Sequence, residues 1–469
     1  MNIKKFLQKN SIINSAIWYT VGSFFLKGVN FLTVPIFTQL LTTSEMGRVS
    51  IYSTWGAIVA ILVGLGIEGT VGSAKANLED DEYTEYISSA LILATFSFIL
   101  MFLLSILFRK SLSVLMGLDT GLIILLLIQS FFSFVISFVL ATYTFARNHK
   151  MYLAVSCLST ILNIVLSISI ILSMDSNRYL GRILGWAIST IIIGVILYIK
   201  VVIKGKIFIS LKYWKFALPI ALPLIFHNLS HLLLNQADIL MLKKFTDDSI
   251  VGIYSVLYMI GSIINIIQIA VNGAWVPWYY EALKKGDKEE LKKTSAIYIV
   301  IFTLLTMMFI LGVPEVVKIF TDSEYWGGIP LVYIVIMGYY FVYLYTFPAN
   351  FQFYSKQTKF IAIGTITAAL VNVGFNFILI QYVGMYGAAI ATLISYIVLF
   401  FMHFIIVKYR FKHQDFPFVY NLFGIAIVVL TWILSYMLLD YFIIRWIVII
   451  LILATSGIIT FKKVKKTYN

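Results

Sequence analysis

Ser156, Thr160, Asn163 and Ser167 climb through an apolar stretch in steps of four, three and four residues, and the same steps return 209 residues later as Thr365, Ala369, Asn372 and Asn376. That spacing puts each set on one face of a helix. Amides and hydroxyls at such spacing bind by hydrogen bonding. Lipid would leave a polar stripe unsolvated, so each must face protein or a water-filled cavity. Two matching stripes imply two matching halves around one cavity, the layout of a secondary transporter with its site between repeats.

Other polar groups lie inside apolar segments. The first segment carries Thr20, Ser23, Lys27 and Asn30, and the seventh His227, His231, Asn235 and Asp238, with Asn30 landing on Asn235 at an offset of 205. The eighth adds Gly261, Asn265, Gln268 and Asn272 on one face. An uncompensated charge at mid-bilayer costs about 2.5 to 3.5 kcal/mol on insertion scales, so Lys27, Glu68 and Asp238 each need water or a partner. Lys27 either snorkels outward or lines the cavity as an anion contact; its helical neighbours Ser23 and Asn30, also polar, favour the cavity. Asp238 fits a partner for Lys27, a backbone cap or a proton-coupling group. His227 and His231 are spaced like two metal ligands, but no further Cys or His accompanies them, so hydrogen bonding or titration fits better and no metal is expected. Arg147, Lys150, Lys356 and Lys359 sit symmetrically at span ends, either as topology signals or as a basic vestibule for a diphosphate.

Composition sets the frame that positions these groups. The 469 residues are 61% hydrophobic and 12% charged, with mean hydropathy +0.94; a soluble chain has about 25% charged residues, so this one belongs in a bilayer. One cysteine, Cys157, excludes a disulfide framework and a cysteine metal cluster. At about 20 apolar residues per span, about fourteen spans are expected, near 12–35, 48–71, 86–108, 121–145, 151–173, 181–203, 214–241, 250–278, 293–313, 329–353, 360–381, 386–407, 416–438 and 443–461. The basic start, Met1 to Lys5, runs into an apolar stretch without a small-residue cleavage site and reads as a retained first helix. With that terminus inside, Lys and Arg divide 25 inner to 9 outer, which places both termini in the cytoplasm. The net charge of +14 is then topology signal and attraction to lipid headgroups, not a nucleic-acid footprint.

The expected fold is all-α and polytopic: two pseudo-symmetric six-helix bundles, 1–208 and 209–410, plus two C-terminal helices and a cytoplasmic tail, 411–469. Met46 to Ser50 aligns with Val251 to Ser255 at offset 205, Tyr143 to Lys150 with Gln352 to Lys359 at 209, and Leu180-Gly181-Arg182 with Tyr386-Gly387-Ala388 at 206. Six spans per repeat is an even number, so the repeats share one orientation about an axis along the membrane normal. Pro219, Pro223 and Pro348 permit kinks, either hinges or static bends. The acidic run Glu79 to Glu82 reads as a solvated face. No GxxxxGK[ST] loop, metal cluster or interpretable Ser/His/Asp set is present, so the chain is not expected to be an enzyme, hydrolyse ATP or carry a cofactor.

Leu234-Asn235-Gln236-Ala237-Asp238-Ile239-Leu240-Met241-Leu242, then Val251-Gly252-Ile253-Tyr254-Ser255, resembles the signature of the seventh and eighth helices of bacterial polysaccharide flippases in the multidrug, oligosaccharidyl-lipid and polysaccharide exporter superfamily. Asn372 and Asn376 ahead of Tyr386-Gly387-Ala388-Ala389-Ile390-Ala391-Thr392 resemble its eleventh and twelfth. The likeness runs from about residue 10 to 410. It implies movement of an undecaprenyl-diphosphate-linked oligosaccharide, an O-antigen or capsule repeat unit, from the inner to the outer leaflet of the bacterial cytoplasmic membrane. The glycan and diphosphate would occupy the cavity while the tail stays in the bilayer. Polymerase and chain-length proteins are implied partners alongside membrane lipids. Arg48-Val49 departs from the apolar-aromatic pair the family often has, and apart from Lys27 the arginine-rich first helix of murein-precursor flippases is missing. A drug or cation antiporter would want an acidic cavity, whereas these stripes are mostly neutral or basic. A glycosyltransferase or polymerase would want a large outer loop, and the longest outer connection expected is 314–328.

Overall fold

Long apolar segments satisfy their backbone groups in lipid by closing i to i−4 hydrogen bonds within one segment. The computed structural model describes residues 29, 31–412 and 418–454, all helix and connection with no strand among them. Eleven of the helices described are long and apolar enough to cross a membrane, or twelve with the bent pair Leu211–Ser230 and Leu232–Phe245 taken as one span. The chain is a multi-pass, all-α membrane protein. Most of the expected first span, 12–35, lies outside the described residues. The last expected span, 443–461, overlaps the shorter apolar helix Phe442–Ala454, and its remainder lies outside the described residues.

The helices are α1 Val34–Leu40, α2 Thr43–Gly64, α3 Val71–Asn77, α4 Asp80–Leu107, α5 Arg109–Met116, α6 Thr120–Phe145, α7 His149–Leu172, α8 Arg178–Gly205 and α9 Leu211–Phe245. Next come α10 Asp248–Gly261, α11 Ile263–Lys285, α12 Lys288–Phe320, α13 Ile329–Tyr354, α14 Thr358–Val383, α15 Met385–Ile405 and α16 Phe418–Met437. The single span expected at 250–278 is one apolar helical stretch, Asp248–Lys285, with a local break at Ser262 between α10 and α11. The expected outer connection at 314–328 is mostly helical: α12 runs through Pro314 to Phe320, and a 3-10 turn, Ser323–Gly328, follows.

The chain forms two compact units, Met1–Leu240 and Met241–Asn469. In the first, α6 is the central helix, packed on α2 and α8. Tyr52 on α2 donates its hydroxyl to Gln129 on α6 at 2.7 Å and meets Trp186 of α8 edge-on at 6.2 Å. α2 opens on a capping box: the Glu45 amide bonds the Thr42 hydroxyl, and the Glu45 carboxylate accepts the Thr42 amide. It ends where Leu65 and Gly66 take positive φ, 52° and 69°. Gly66 lies against the Ala221 carbonyl, where a side chain would collide.

In the second unit α13 takes the central place, buried on nearly every side. Its aromatic rings carry the core: Tyr343 stacks on Phe302 at 3.8 Å, and Tyr340 shares a 2.8 Å hydrogen bond with Thr303. α16 packs on α12, where the Ser435 hydroxyl donates to the Ile310 carbonyl. The Arg445 guanidinium, almost wholly buried, pairs with Glu315 and with the Leu438 and Leu439 carbonyls. That arrangement gives both Nη groups partners for a charge that lipid would otherwise strand, while Nε has none among the described residues.

The two units repeat each other locally. α6 and α13 are both 26 residues long and start 209 positions apart, as do α7 and α14. In the joining loops Arg147 and Lys356 both take positive φ, 56° and 57°. Their amides donate to Thr144 and Phe353 at 3.0 Å, while Asn148 and Gln357 donate to Tyr143 and Gln352 at 2.8 Å. These paired bonds close each helix by satisfying its last carbonyls.

Candidate functional site

The polar ladders lie along hairpins whose helices approach unusually closely. In α7–α8 a side chain at Gly185 would strike the Ser167 backbone and one at Gly181 the Ile171 backbone; in α14–α15 Gly387 meets Leu379 and Ile380 in the same way. Small residues let backbones in lipid approach closely, which strengthens packing and allows short polar side chains to meet across the interface. Ser167 is buried on this contact, as are Asn372 and Asn376.

The two hairpins use that closeness differently. Asn163 Oδ1 accepts from Arg182 Nη1 at 2.7 Å and from the Ser167 hydroxyl at 3.1 Å, and Arg182 Nη1 also donates to Ser167 at 2.8 Å. The guanidinium lies over the Phe37 ring at 4.3 Å, a cation–π contact at the side of the core formed by Phe37, Leu41 and Ile171. In the second hairpin Asn372 Nδ2 donates to Thr392 at 3.0 Å, and Asn376 Nδ2 donates to Asn372 Oδ1 at 2.9 Å. The expected stripes therefore face protein in both hairpins.

The other predicted residues fall into separate groups. Asn272 accepts from Asn350 Nδ2 at 2.9 Å between α11 and α13, while Gln268, one turn before it, is buried and Asn265, two turns before it, is half-buried. On α9, His227 is exposed, Asn235 half-buried and Asp238 buried, its carboxylate accepting the Ile239 amide at 3.2 Å. The helix bends by 47° between His227 and Asn235. Arg147 and Lys356 stand exposed on their matched loops. Glu68, also expected to need a partner, accepts from Ser137 at 2.9 Å. Lys27, Asn30 and the side chain of His231 lie outside the described residues. Within the second unit the Asn272 and Asn372 groups are thus distinct clusters. Among the described residues no three His, Cys, Asp or Glu side chains gather as metal ligands.

Sequence reasoning missed Arg182, counted with the outer basic residues because it stands near a span end. It instead turns back along α8 onto the ladder. The available signal was its place between Gly181 and Gly185, which bring α8 against α7. Arg48 over Tyr179 at 5.0 Å, with Glu45 Oε1 accepting the Tyr179 amide at 3.2 Å, ties α2 to the same end of α8. Gln352 and His403, both fully buried and 2.8 Å apart, were likewise unmarked.

Comparison with known proteins places this architecture. The model of the family described as "Polysaccharide biosynthesis protein" matches residues 12–283. An "Uncharacterized membrane protein" of Haemophilus influenzae is 22% identical over 377 residues, covering 78% of this chain and 89% of that protein. Among solved structures, "Lipid II flippase MurJ, inward closed conformation" superposes with a TM-score of 0.67 at 15% identity, over 96% of this chain and 99% of that one. The inward-facing conformation of a multidrug resistance MATE family transporter of the MOP superfamily gives 0.57 at 16% identity, over 89% and 94%. At these identities the likeness to solved structures shows the fold.

Proposed function

The chain belongs to the polysaccharide biosynthesis protein family, and from that premise we propose that it is a flippase for undecaprenyl-diphosphate-linked oligosaccharide. It moves an O-antigen or capsule repeat unit from the inner to the outer leaflet of the bacterial cytoplasmic membrane by alternating access, and neither makes nor breaks a covalent bond. Both termini are cytoplasmic in this reading, supported by the 25 to 9 division of Lys and Arg. Polymerase and chain-length proteins take the product.

The observation that carries the reading is the broken span α9. Its two parts meet at 47°, with His227 before the bend and Asn235 and Asp238 after it. Transporter sites are commonly built from discontinuous helices, whose irregular backbone is tolerated where it lines a polar path. His227, His231, Asn235, Asn265, Gln268 and Asn272 then offer hydrogen bonds to sugar hydroxyls, and Lys27 and Asn30 hold the diphosphate. Arg147 and Lys356 gather it from the cytoplasmic side. The amides Asn163, Asn372 and Asn376 serve this path through the hairpins they lock, which rock as rigid pieces. Asp238 takes the coupling charge or steadies Lys27.

The test is glycan export in cells and headgroup flipping in proteoliposomes, at matched protein levels. Lys27→Ala and Asp238→Asn should reduce flipping at least tenfold, with Lys27→Arg retaining part of it. Wild-type rates for both Lys27→Ala and Asp238→Asn, or drug efflux without glycan transport, would overturn the assignment.

A further inference from the structure

At one end of the first unit, the start of α4, the end of α6, the start of α7 and the end of α8 surround a half-open cavity of about 260 Å³. Lys200 and Lys204, one turn apart on α8, line it with Tyr83 and Thr84 of α4, Tyr143 of α6 and Asn148, the residue that caps α7. Neither lysine forms an ion pair with any described residue, and the Tyr83 hydroxyl, shielded from solvent, has no hydrogen-bond partner among them.

The charge balance around the cavity is cationic. Of the acidic residues at the start of α4, Asp80 pairs with Lys75, Glu82 pairs with Lys212 at 2.5 Å and Glu85 accepts from the Tyr213 hydroxyl at 2.7 Å; none of these, nor Asp81, lines the cavity. The start of the 24-residue α7 adds the positive end of a helix dipole. Two lysines, a tyrosine and the asparagine that caps α7 line one small volume at a span end, the depth at which lipid headgroups lie. Apolar Ile87, Val139 and Leu197 continue the cavity wall towards the spans.

We propose that this cavity is a binding site for the phosphate group of a membrane lipid, with Lys200 and Lys204 neutralising the anion and Tyr83 donating to a phosphate oxygen. The lipid is an anionic phospholipid or a prenyl diphosphate; the phosphate is the chemistry they share. The site does not rest on the flippase reading, since it needs only a lipid anion at the mouth of a cavity in one unit.

Retention of lipid by the purified full-length protein tests it, with phosphatidylglycerol and undecaprenyl diphosphate offered separately in phosphatidylcholine nanodiscs and read by native mass spectrometry. Lys200→Gln with Lys204→Gln should weaken retention of at least one of them about tenfold or more. Lys200→Arg with Lys204→Arg should keep it, and excess inorganic pyrophosphate should displace it. Tyr83→Phe, which removes a single oxygen, should weaken it severalfold even if the double variant folds poorly. Loss confined to undecaprenyl diphosphate identifies the carrier lipid as the ligand, and loss with phosphatidylglycerol a structural phospholipid; both support the site. Equal retention by Tyr83→Phe and the double Gln variant would overturn it. So would an equal loss in the exposed control pair Lys292→Gln with Lys293→Gln, or failure of pyrophosphate to compete. Retention that obeys these rules in a chain that exports no glycan leaves the site standing and removes only the flippase reading.

Discussion

The hairpin α7–α8 and its counterpart α14–α15 share a backbone and differ in charge. Both begin after a loop with a left-handed basic residue, and both bring a glycine, Gly181 or Gly387, onto the backbone of the preceding helix at Ile171 or at Leu379 and Ile380. On that common frame the first hairpin sets the Arg182 guanidinium against Asn163 and Ser167, whereas the second carries Ala388 at the matching position and closes its ladder with Asn372, Asn376 and Thr392. Close approach is the part of the repeat that packing enforces. The polar partner across it is free to diverge while the central amides stay bonded, although the Ser156 hydroxyl and Asn376 Oδ1 have no partner among the described residues.

The most damaging way to break the comparison is to push the helices apart. Gly185→Leu and Gly387→Leu each place a side chain into neighbouring backbone, which cannot rotate away, so each should cost about 3 kcal/mol or more of stability. Gly374→Leu on α14, where nothing lies within 4 Å, should be nearly neutral. Thermal denaturation in detergent reads all three. A fall for one hairpin glycine and not the other would show that the hairpins are not equivalent.

A smaller effect measures how far they have diverged. Arg182→Met removes charge-assisted hydrogen bonds to Asn163 and Ser167, worth about 2 kcal/mol. Thr392→Val removes a neutral interhelical bond, worth about 0.6 kcal/mol in a membrane protein. Denaturation midpoints of the two variants should differ in that order. Equal losses would mean that the guanidinium contributes no more than a hydroxyl and that the difference in charge has no energetic content.

The local repeat of 120–172 in 329–383 was legible in the sequence. Apolar runs of span length located the described helices with ends displaced by up to seven residues, and the offset of 209 that joins Arg147 to Lys356 reappears as one loop geometry. What resisted reading depends on direction rather than spacing. Arg182 lies where a span end and an outer loop look alike, and only the approach forced by Gly181 and Gly185 turns its side chain inward. α9 contains Pro219 and Pro223 and still runs as one helix, with its parts Leu211–Ser230 and Leu232–Phe245 inclined at 47°. A proline removes a hydrogen bond without dictating where neighbouring packing will release the strain. The ladders were read as polar faces, and so they are. That their partner is the next helix, through Arg182 and Thr392, depends on contacts fifteen to twenty residues away that a helical period cannot report.

The finest difference separates backbone from charge in the loops themselves. Arg147 and Lys356 occupy the left-handed region that glycine enters without steric cost. Because their amides make the same 3.0 Å bonds to Thr144 and Phe353, Arg147→Gly and Lys356→Gly should stabilise the protein by a similar small amount, about 0.5 kcal/mol each. Export should move the other way if both side chains gather a diphosphate. The expected result is slightly raised denaturation midpoints for both variants, with flipping reduced severalfold and still lower when the two are combined. Raised midpoints with undiminished flipping would leave both residues as loop formers and topology signals. A gain in stability for one variant only would break the equivalence of the loops, which is the closest match between the two units.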